Sequence, residues 1–370
     1  MTLINTKNMT IHNTESRHQR IPVTLLTGFL GSGKTTLLNH LLSQPELADT
    51  LIIINEFGEI ALDHLMVAHS PDNQVVEMSS GCMCCTIRGD LVKTLRDITW
   101  RFARDGERQF SRVIIETTGL ADPASILHTL MTHPQVRSKY HLASTVTTVD
   151  CTVGMNTLDQ HREAIQQAAV ADRILLTKSE LVSAEQRNAL IQRLKAINPA
   201  AAYTEVHNGR ISPQELLNVG AMSAEDNTPG LGQWLTADNF VPIPSPGISQ
   251  QTYSHEPSFE EQDVNRHDDH IRAYCFVLDN PIRMEVLTTW IDALQLVISS
   301  DMLRVKGIFN VVEQEQPVVV HSVQHIFYPL TSLPAWPDDD QRSRLVFITR
   351  DIAREVIEEI VDVLAKKPHL

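Results

Sequence analysis

The chain has 370 residues, of which 42% are hydrophobic and 21% are charged, and its formal net charge is −14. These values are typical of a globular protein, and the length predicts one large domain or two ordinary ones. The acidic charge, without a basic stripe, excludes the usual composition of a nucleic-acid-binding protein, and no apolar run approaches the roughly 20 residues of a membrane span. We therefore expect neither nucleic acid nor a membrane as a partner.

The first 20 residues are polar and lack the apolar centre of a signal peptide, which predicts a flexible arm and a cytoplasmic protein. The five cysteines agree with that compartment, because three of them lie within four positions and are too close together to form disulfides that would stabilise the fold. Clustered cysteines in a cytosolic chain indicate metal or redox chemistry rather than a disulfide framework.

Apolar strand patterns alternate with helical patterns from residue 21 to about 207. The strand runs are apolar throughout, as expected when helices cover both faces of a parallel sheet. The pattern predicts a doubly wound, mostly parallel α/β domain over residues 21–210. Strands are predicted at 21–27, 50–55, 74–78, 111–119, 143–150, 172–178 and 201–206, and helices at 33–44, 91–106, 122–132, 161–171 and 183–198.

Residues 211–270 break this alternation with many Pro, Ser, Asn and Gln residues, and they are predicted to form a linker. Residues 271–370 then predict a smaller α+β domain with an antiparallel sheet. Its strands are predicted at 271–279, 302–312, 316–330 and 343–350, and its helices at 284–298 and 352–367.

A phosphate-binding loop is predicted where the first strand meets the first helix. The run from Gly28 to Thr35 fits the pattern G-x-x-x-x-G-K-[ST] in full. Glycines let main-chain N–H groups surround phosphate oxygens, Lys34 reaches the outer phosphates, and the Thr35 hydroxyl can ligate Mg²⁺. The predicted nucleotide-binding residues here are Gly28, Gly31, Ser32, Gly33, Lys34, Thr35 and Thr36.

Two later strand ends complete the predicted nucleotide site. Glu116 ends an apolar strand, with Gly119 three residues on, and can hold Mg²⁺ or a water molecule beside the phosphates. Lys178 and Glu180 stand where many GTPases carry N-K-x-D, although Thr177 replaces the asparagine. The lysine stem would lie along the base and the acid would accept hydrogen bonds from guanine, which favours GTP over ATP.

Cys82, Cys84 and Cys85 form a C-x-C-C cluster after Gly81, and this spacing indicates a soft-metal site for Zn²⁺, Cu⁺ or Co²⁺. Three thiolates do not complete a tetrahedron, so further ligands must come from elsewhere in the chain. Buried core cysteines or a redox dithiol are the alternatives. The candidate additional ligands are Glu56, Glu59, Asp63 and His133.

The motifs TGFLGSGKTTLL, NEFGE, GCMCC, VIIETTGLADP and RVKG together resemble the CobW family of P-loop GTPases over residues 21 to 367. The resemblance implies a CobW-type C-terminal domain and a metallochaperone, usually for zinc and in some members for cobalt. It implies that GTP hydrolysis drives transfer of a metal from Cys82, Cys84 and Cys85 to a client metalloprotein, and that a homodimer is plausible. Glu59 and His133 match positions where relatives place additional metal ligands.

The NEFGE loop follows the second strand, where a γ-phosphate could order it and move Glu59 relative to the cysteines. Such a movement would couple nucleotide state to metal affinity.

Two other functions stay open at this point. One is a metal store or metal-dependent regulator that binds nucleotide without energy-coupled transfer. The other is a small-molecule kinase, which gives the cysteine cluster no role.

Residues 255–270 are predicted to form either a solvated acidic linker or a metal-collecting segment. His321, on a predicted strand, is predicted to face solvent or a partner.

Overall fold

The computed structural model describes residues 20–42, 44–57, 74–80, 86–105, 107–217, 241–242, 270–297, 301–324 and 326–365. The predicted arm, apart from Arg20, and nearly all of the predicted linker from residue 218 onward lie outside this part of the chain, so the domain boundaries stay predictions. No helix among the described residues is long and apolar enough to cross a membrane.

The N-terminal strands are Ile21–Gly28 (β1), Thr50–Phe57 (β2), Gln74–Ser80 (β3), Ala103–Arg104 (β4), Glu107–Arg108 (β5), Arg112–Thr117 (β6), Tyr140–Asp150 (β7), Arg173–Thr177 (β8) and Ala202–Val206 (β9). Within the described residues, seven of them form one parallel sheet in the order β3-β2-β6-β1-β7-β8-β9. Successive side chains of β1 point to opposite faces, and Leu25 and Leu26 are both fully buried because both faces are covered. The predicted doubly wound α/β domain is confirmed.

The helices of this domain are Lys34–Leu42 (α1), Thr86–Arg101 (α2), Pro123–Thr132 (α3), Pro134–Arg137 (α4), Gly154–Gln160 (α5), Arg162–Ala169 (α6), Ala184–Ile197 (α7) and Pro213–Leu217 (α8). Leu26 packs in the cluster that α1 covers, and Leu25 packs in the cluster that α2 and α3 cover. Helices α6 and α7 cover β7 and β8 on the same face as α2 and α3.

The structure shifts one predicted helix by five residues. α2 begins at Thr86 and ends at Arg101, whereas the pattern predicts a helix from 91 to 106. Strands β4 and β5 follow as an antiparallel hairpin. Asp105 has a left-handed backbone with φ of 53°, which a right-handed helix cannot contain. The chain therefore reverses here instead of continuing as a helix.

The C-terminal unit has the strands Val241–Pro242 (β10), Ile271–Leu278 (β11), Met302–Phe309 (β12), Val318–Val323 (β13), Ile326–Phe327 (β14), Thr331–Ser332 (β15) and Ser343–Arg350 (β16). Their order is β10-β11-β16-β12-β13-β14, with β15 beside β13, and all described pairs are antiparallel except β10 with β11. Helices Met284–Val297 (α9) and Arg354–Ala365 (α10) cover one face, where Trp290 Nε1 donates to the Ile360 carbonyl oxygen at 2.8 Å. The predicted α+β unit is confirmed.

The opposite face of the C-terminal sheet packs on the first domain. Leu190 and Leu194 of α7 share one apolar cluster with Val346 and Ile348 of β16. The layers therefore run from α1 through the parallel sheet, then α6 and α7, then the antiparallel sheet, and finally α9 and α10. The two sheets share the helical layer between them.

A buried polar group, which we call the interdomain cluster, comprises Asp172, Arg304, Lys306 and His321. Arg304 donates to the Asp172 carboxylate and to the Val170 carbonyl oxygen, and Lys306 Nζ lies 3.1 Å from the same carboxylate. Arg304 Nη2 is 2.8 Å from His321 Nε2. Burial acts to raise the pKa of Asp172, but Arg304 and Lys306 outweigh it and hold that pKa well below its ordinary value. The cluster fastens β12 of the second domain to the start of β8 in the first.

Candidate nucleotide and metal site

The segment between β1 and α1 has the geometry of a phosphate-binding loop. Gly28, Gly31 and Gly33 have φ of 142°, 72° and 92°, a region that side chains disfavour. A Cβ atom at Gly28 would lie 2.2 Å from Thr148 Oγ1 and 2.5 Å from the Thr148 carbonyl oxygen. Only glycine fits at this position, and the loop leads directly into the N-terminus of α1, where phosphates bind to main-chain N–H groups.

Lys34 and two hydroxyl groups hold the loop in shape. The Lys34 side chain is buried, and Nζ donates to the Gly28 carbonyl oxygen at 2.8 Å. Ser32 Oγ is 2.6 Å from Thr148 Oγ1, and Thr177 Oγ1 donates to the Ser32 carbonyl oxygen at 2.8 Å. The ends of β7 and β8 therefore support the loop from behind, and Thr177 has a structural role at a position where many GTPases carry asparagine.

Thr35 and Thr36 lie in the first turn of α1, because the helix begins at Lys34. A Cβ atom at Gly209, in the turn after β9, would lie 2.7 Å from Thr36 Cγ2, so this turn is in close contact with α1. The loops that follow β1, β7, β8 and β9 thus converge on one edge of the sheet, as predicted for ligand sites in α/β proteins.

The loop after β6 rests on the phosphate-binding loop. Glu116 is buried at the end of β6 and is in register with Leu26 of β1. A Cβ atom at Gly119 would lie 2.6 Å from the main-chain nitrogen of Leu30, so the two loops are in direct contact. The structure therefore brings Glu116 and Gly119 to the predicted phosphate site.

Lys178 and Asp150 close the other side of the site. Lys178 has a left-handed backbone with φ of 55°, and Nζ donates to Asp150 Oδ2 at 2.5 Å and to the Gly31 carbonyl oxygen at 3.1 Å. Burial acts to raise the pKa of Asp150, but hydrogen bonds from Lys178 and Thr152 outweigh it and lower that pKa. Glu180 is exposed nearby. Asp150 is not among the residues predicted from the sequence, although its position at the carboxyl end of a predicted strand is a usable signal.

The predicted metal ligands fall into two groups. Five lie outside the described residues: Glu59, Asp63, Cys82, Cys84 and Cys85. The strands that precede them, β2 and β3, end at Phe57 and Ser80, which are paired in register. Because the sheet is parallel, these strand ends lie on the same edge as the phosphate-binding loop. In the part of the chain that the structure describes, no group of three or more His, Cys, Asp or Glu side chains could hold a metal ion.

His133, another predicted ligand, lies at the far end of its helix. α3 begins at Pro123 beside the loop after β6, and its ten residues span about 15 Å. The Lys139 carbonyl oxygen, just beyond α4, accepts a hydrogen bond from the Ile21 nitrogen at 2.7 Å, which fixes this region beside the start of β1. The structure therefore does not bring His133 to the edge where β1, β2 and β3 end.

The loop, its supporting hydroxyls and the sheet order define a P-loop nucleoside triphosphatase domain with an α+β domain appended. Residues 22–205 match the CobW/HypB/UreG nucleotide-binding domain, and residues 271–365 match the C-terminal domain of the cobalamin synthesis protein CobW. The chain belongs to the CobW family, as its sequence motifs suggested.

Known relatives resemble this chain across both domains. The zinc chaperone YjiA of Escherichia coli strain K12 is 29% identical over 337 residues, which cover 91% of this chain and 96% of YjiA. Zinc-regulated GTPase metalloprotein activator 1 of Schizosaccharomyces pombe is 27% identical over 354 residues, covering 90% of this chain and 83% of that protein. The crystal structure of the Zn(II)-bound YjiA GTPase has a TM-score of 0.65 at 26% identity, covering 94% of this chain and 99% of that one.

Proposed function

We propose that this chain is a GTPase that binds zinc at its C-x-C-C motif and delivers it to a client metalloprotein. The observation that carries the proposal is the shared sheet edge. The phosphate-binding loop follows β1 there, and the paired residues Phe57 and Ser80 end β2 and β3 there. Glu59 and Cys82 are each the second residue after one member of that pair. Relatives named as a zinc chaperone and as a zinc-regulated GTPase metalloprotein activator support this class of function.

In the proposed mechanism, different residues at the sheet edge bind the phosphates, the Mg²⁺ ion and the base of GTP. Lys34 neutralises the outer phosphates, and the Thr35 hydroxyl and Glu116 would hold Mg²⁺, which supplies charge neutralisation of the phosphates when bound. Lys178, which Asp150 already orients, lies along the guanine base. Glu180 accepts the hydrogen bonds that distinguish guanine from adenine.

The proposed cargo site consists of the three thiolates and one carboxylate. Cys82, Cys84 and Cys85 supply soft ligands that suit Zn²⁺ and also accept Co²⁺, and Glu59 completes the set. We keep His133, which lies at the far end of α3, as a further candidate ligand beside these four. Nucleotide state and zinc affinity are then coupled, because the segments that carry the ligands start at the phosphate edge, and the coupling is reciprocal.

A competitive zinc titration tests this proposal, first with GDP bound and then with a slowly hydrolysed GTP analogue. We expect the two zinc affinities to differ at least tenfold, which corresponds to about 1.4 kcal/mol. Equal affinities would contradict energy-coupled delivery and would favour a nucleotide-binding metal store.

Replacing Cys84 with serine is expected to lower zinc affinity by about 100-fold or more, because even the loss of an outer-shell partner costs roughly 10–100-fold at metal sites. The same competitive titration measures it. Cys275→Ser is the matched control, since burial raises the pKa of Cys275 to about 12 and keeps it a thiol on β11. Unchanged zinc affinity in Cys84→Ser would rule out the assigned ligands.

A further inference from the structure

Gln167 is a buried polar side chain that the proposed GTP and zinc chemistry does not use. It lies on α6 and is fully buried. Its Nε2 donates to the carbonyl oxygens of Gly119 and Ala121, at 3.1 Å in both cases. The main-chain carbonyl oxygen of Gln167 accepts a hydrogen bond from Thr147 Oγ1 of β7 at 2.8 Å. One amide group therefore holds two main-chain carbonyls of the loop that follows β6.

The helix that carries Gln167 is fixed from outside the nucleotide site. Asn198, which follows α7, donates through Nδ2 to the carbonyl oxygens of Ala168 and Ala169 at the end of α6 and of Ala171 just beyond it, at 2.8–3.0 Å. Arg304 of the C-terminal domain donates to the carbonyl oxygen of Val170, which lies between them. These contacts occupy the carbonyls that a helix leaves unpaired at its C-terminus. Gln167 is thus a fixed anchor against which the loop is held.

The loop also closes on itself through a local turn. The Ala121 nitrogen donates to the Thr118 carbonyl oxygen at 3.1 Å, which closes a turn within the loop itself. Gly119 lies against Leu30 of the phosphate-binding loop, which Thr148 and Thr177 hold independently from the other side. Loss of the Gln167 amide would leave the buried Gly119 carbonyl and the half-buried Ala121 carbonyl without this donor, which favours a shift of the loop.

We propose that Gln167 is a positioning residue for GTP hydrolysis. It holds the loop from Gly119 to Ala121 in place. Because this loop follows β6, its position sets where Glu116 lies relative to the phosphates. The inference rests on the proposed GTPase function. GDP is held mainly by the phosphate-binding loop and by Lys178, neither of which contacts Gln167 through a described hydrogen bond. The effect of Gln167 therefore falls on the hydrolysis step and spares diphosphate binding.

The test is steady-state GTP hydrolysis by Gln167→Met, which keeps the side-chain volume but removes both donors. We expect kcat to fall at least tenfold, while KM for GTP and affinity for GDP stay within threefold of the wild type. Gln166→Met is the matched control, because Gln166 is the adjacent residue of α6 and is half-buried. The control is expected to keep the wild-type kcat.

Gln167→Glu gives a second readout if the methionine variant fails to fold. Burial raises the pKa of a carboxylic acid, and only its protonated form can donate a hydrogen bond to the loop. Its kcat relative to wild type should therefore rise as the pH falls from 8 to 6. A wild-type kcat in Gln167→Met, a proportional loss of kcat and GDP affinity, or a flat relative pH profile would overturn the inference. Absence of GTP hydrolysis by the wild-type chain would overturn the proposed function as well.

Discussion

Replacing Gly28 with alanine is expected to lower nucleotide affinity by about 100-fold or more, equivalent to about 2.8 kcal/mol. The new Cβ atom would lie 2.2 Å from Thr148 Oγ1 and 2.5 Å from the carbonyl oxygen of the same residue. A main-chain oxygen on a central strand cannot move aside, so the loop must shift and its N–H groups lose their convergence on the phosphates. Titration with a fluorescent GDP analogue measures the loss.

Gly31→Ala separates this steric effect from backbone strain. Gly31 also has a positive φ, 72°, but a Cβ atom there would meet no atom within 4 Å. The expected cost is the left-handed penalty alone, about 1–2 kcal/mol, and affinity should fall by about tenfold or somewhat more. Equal losses in the two variants would show that strain, and not contact with Thr148, explains the requirement for glycine at position 28.

Removing the Asp172 carboxylate is expected to lower the free energy of unfolding by about 3–5 kcal/mol. Asp172→Ala would leave Arg304 and Lys306 buried beside each other without an acid, at the point where the domains meet. It would also leave the Thr145 nitrogen without the acceptor that lies at 2.8 Å. Denaturant unfolding, followed by the fluorescence of the four tryptophans, measures the change.

Asp301→Ala is the matched control for this prediction. Asp301 accepts hydrogen bonds from Arg350 at 2.6 and 3.0 Å, but its side chain is 38% exposed. A pair in that setting contributes about 0–1 kcal/mol. If Asp172→Ala costs no more than Asp301→Ala, the interdomain cluster does not hold the two domains together.

The acid dependence of stability gives the same cluster a second test. Because the pKa of Asp172 is lowered in the folded state, the unfolded chain binds a proton near pH 4 that the folded chain does not. The stabilisation is therefore complete above about pH 4 and is lost as the pH falls toward the folded-state pKa. Asp172→Asn should show a shallower loss of stability below pH 4 than the wild type.

The part of the site that sequence could predict is the part built from neighbouring residues. The glycine spacing, Lys34 and Thr35 lie within one short segment, and Glu116 is marked by its place at a strand end. Asp150 and Gln167 carry no such pattern, because their partners Lys178 and Gly119 are 28 and 48 residues away. Only the packing of strands and helices brings them together.

Two errors in the predicted elements and surfaces have the same physical origin. The strand pattern around His321 predicts a ring that faces solvent or a partner, but the half-buried ring stacks on Tyr328 at 4.3 Å and contacts Arg304 of the same domain. A polar residue on a strand looks exposed unless its buried partner is known. Likewise, the apolar run from 316 to 330 predicts one strand, but Gln324 has a left-handed backbone with φ of 52°, and a turn separates β13 from β14.

The shared helical layer also sets an order of events during synthesis. The face of the antiparallel sheet that includes Val346 and Ile348 is covered by α7 and its neighbours, which belong to the first domain. Translation delivers α7 first, and the chain between it and β16 takes on the order of ten seconds to emerge. During that interval the apolar surface of the nascent first domain is open to ribosome-associated holdases. A C-terminal fragment made alone would lack α7 and its neighbours, so this apolar face of the sheet would stay exposed. The fragment should therefore aggregate under conditions in which the full chain stays in solution.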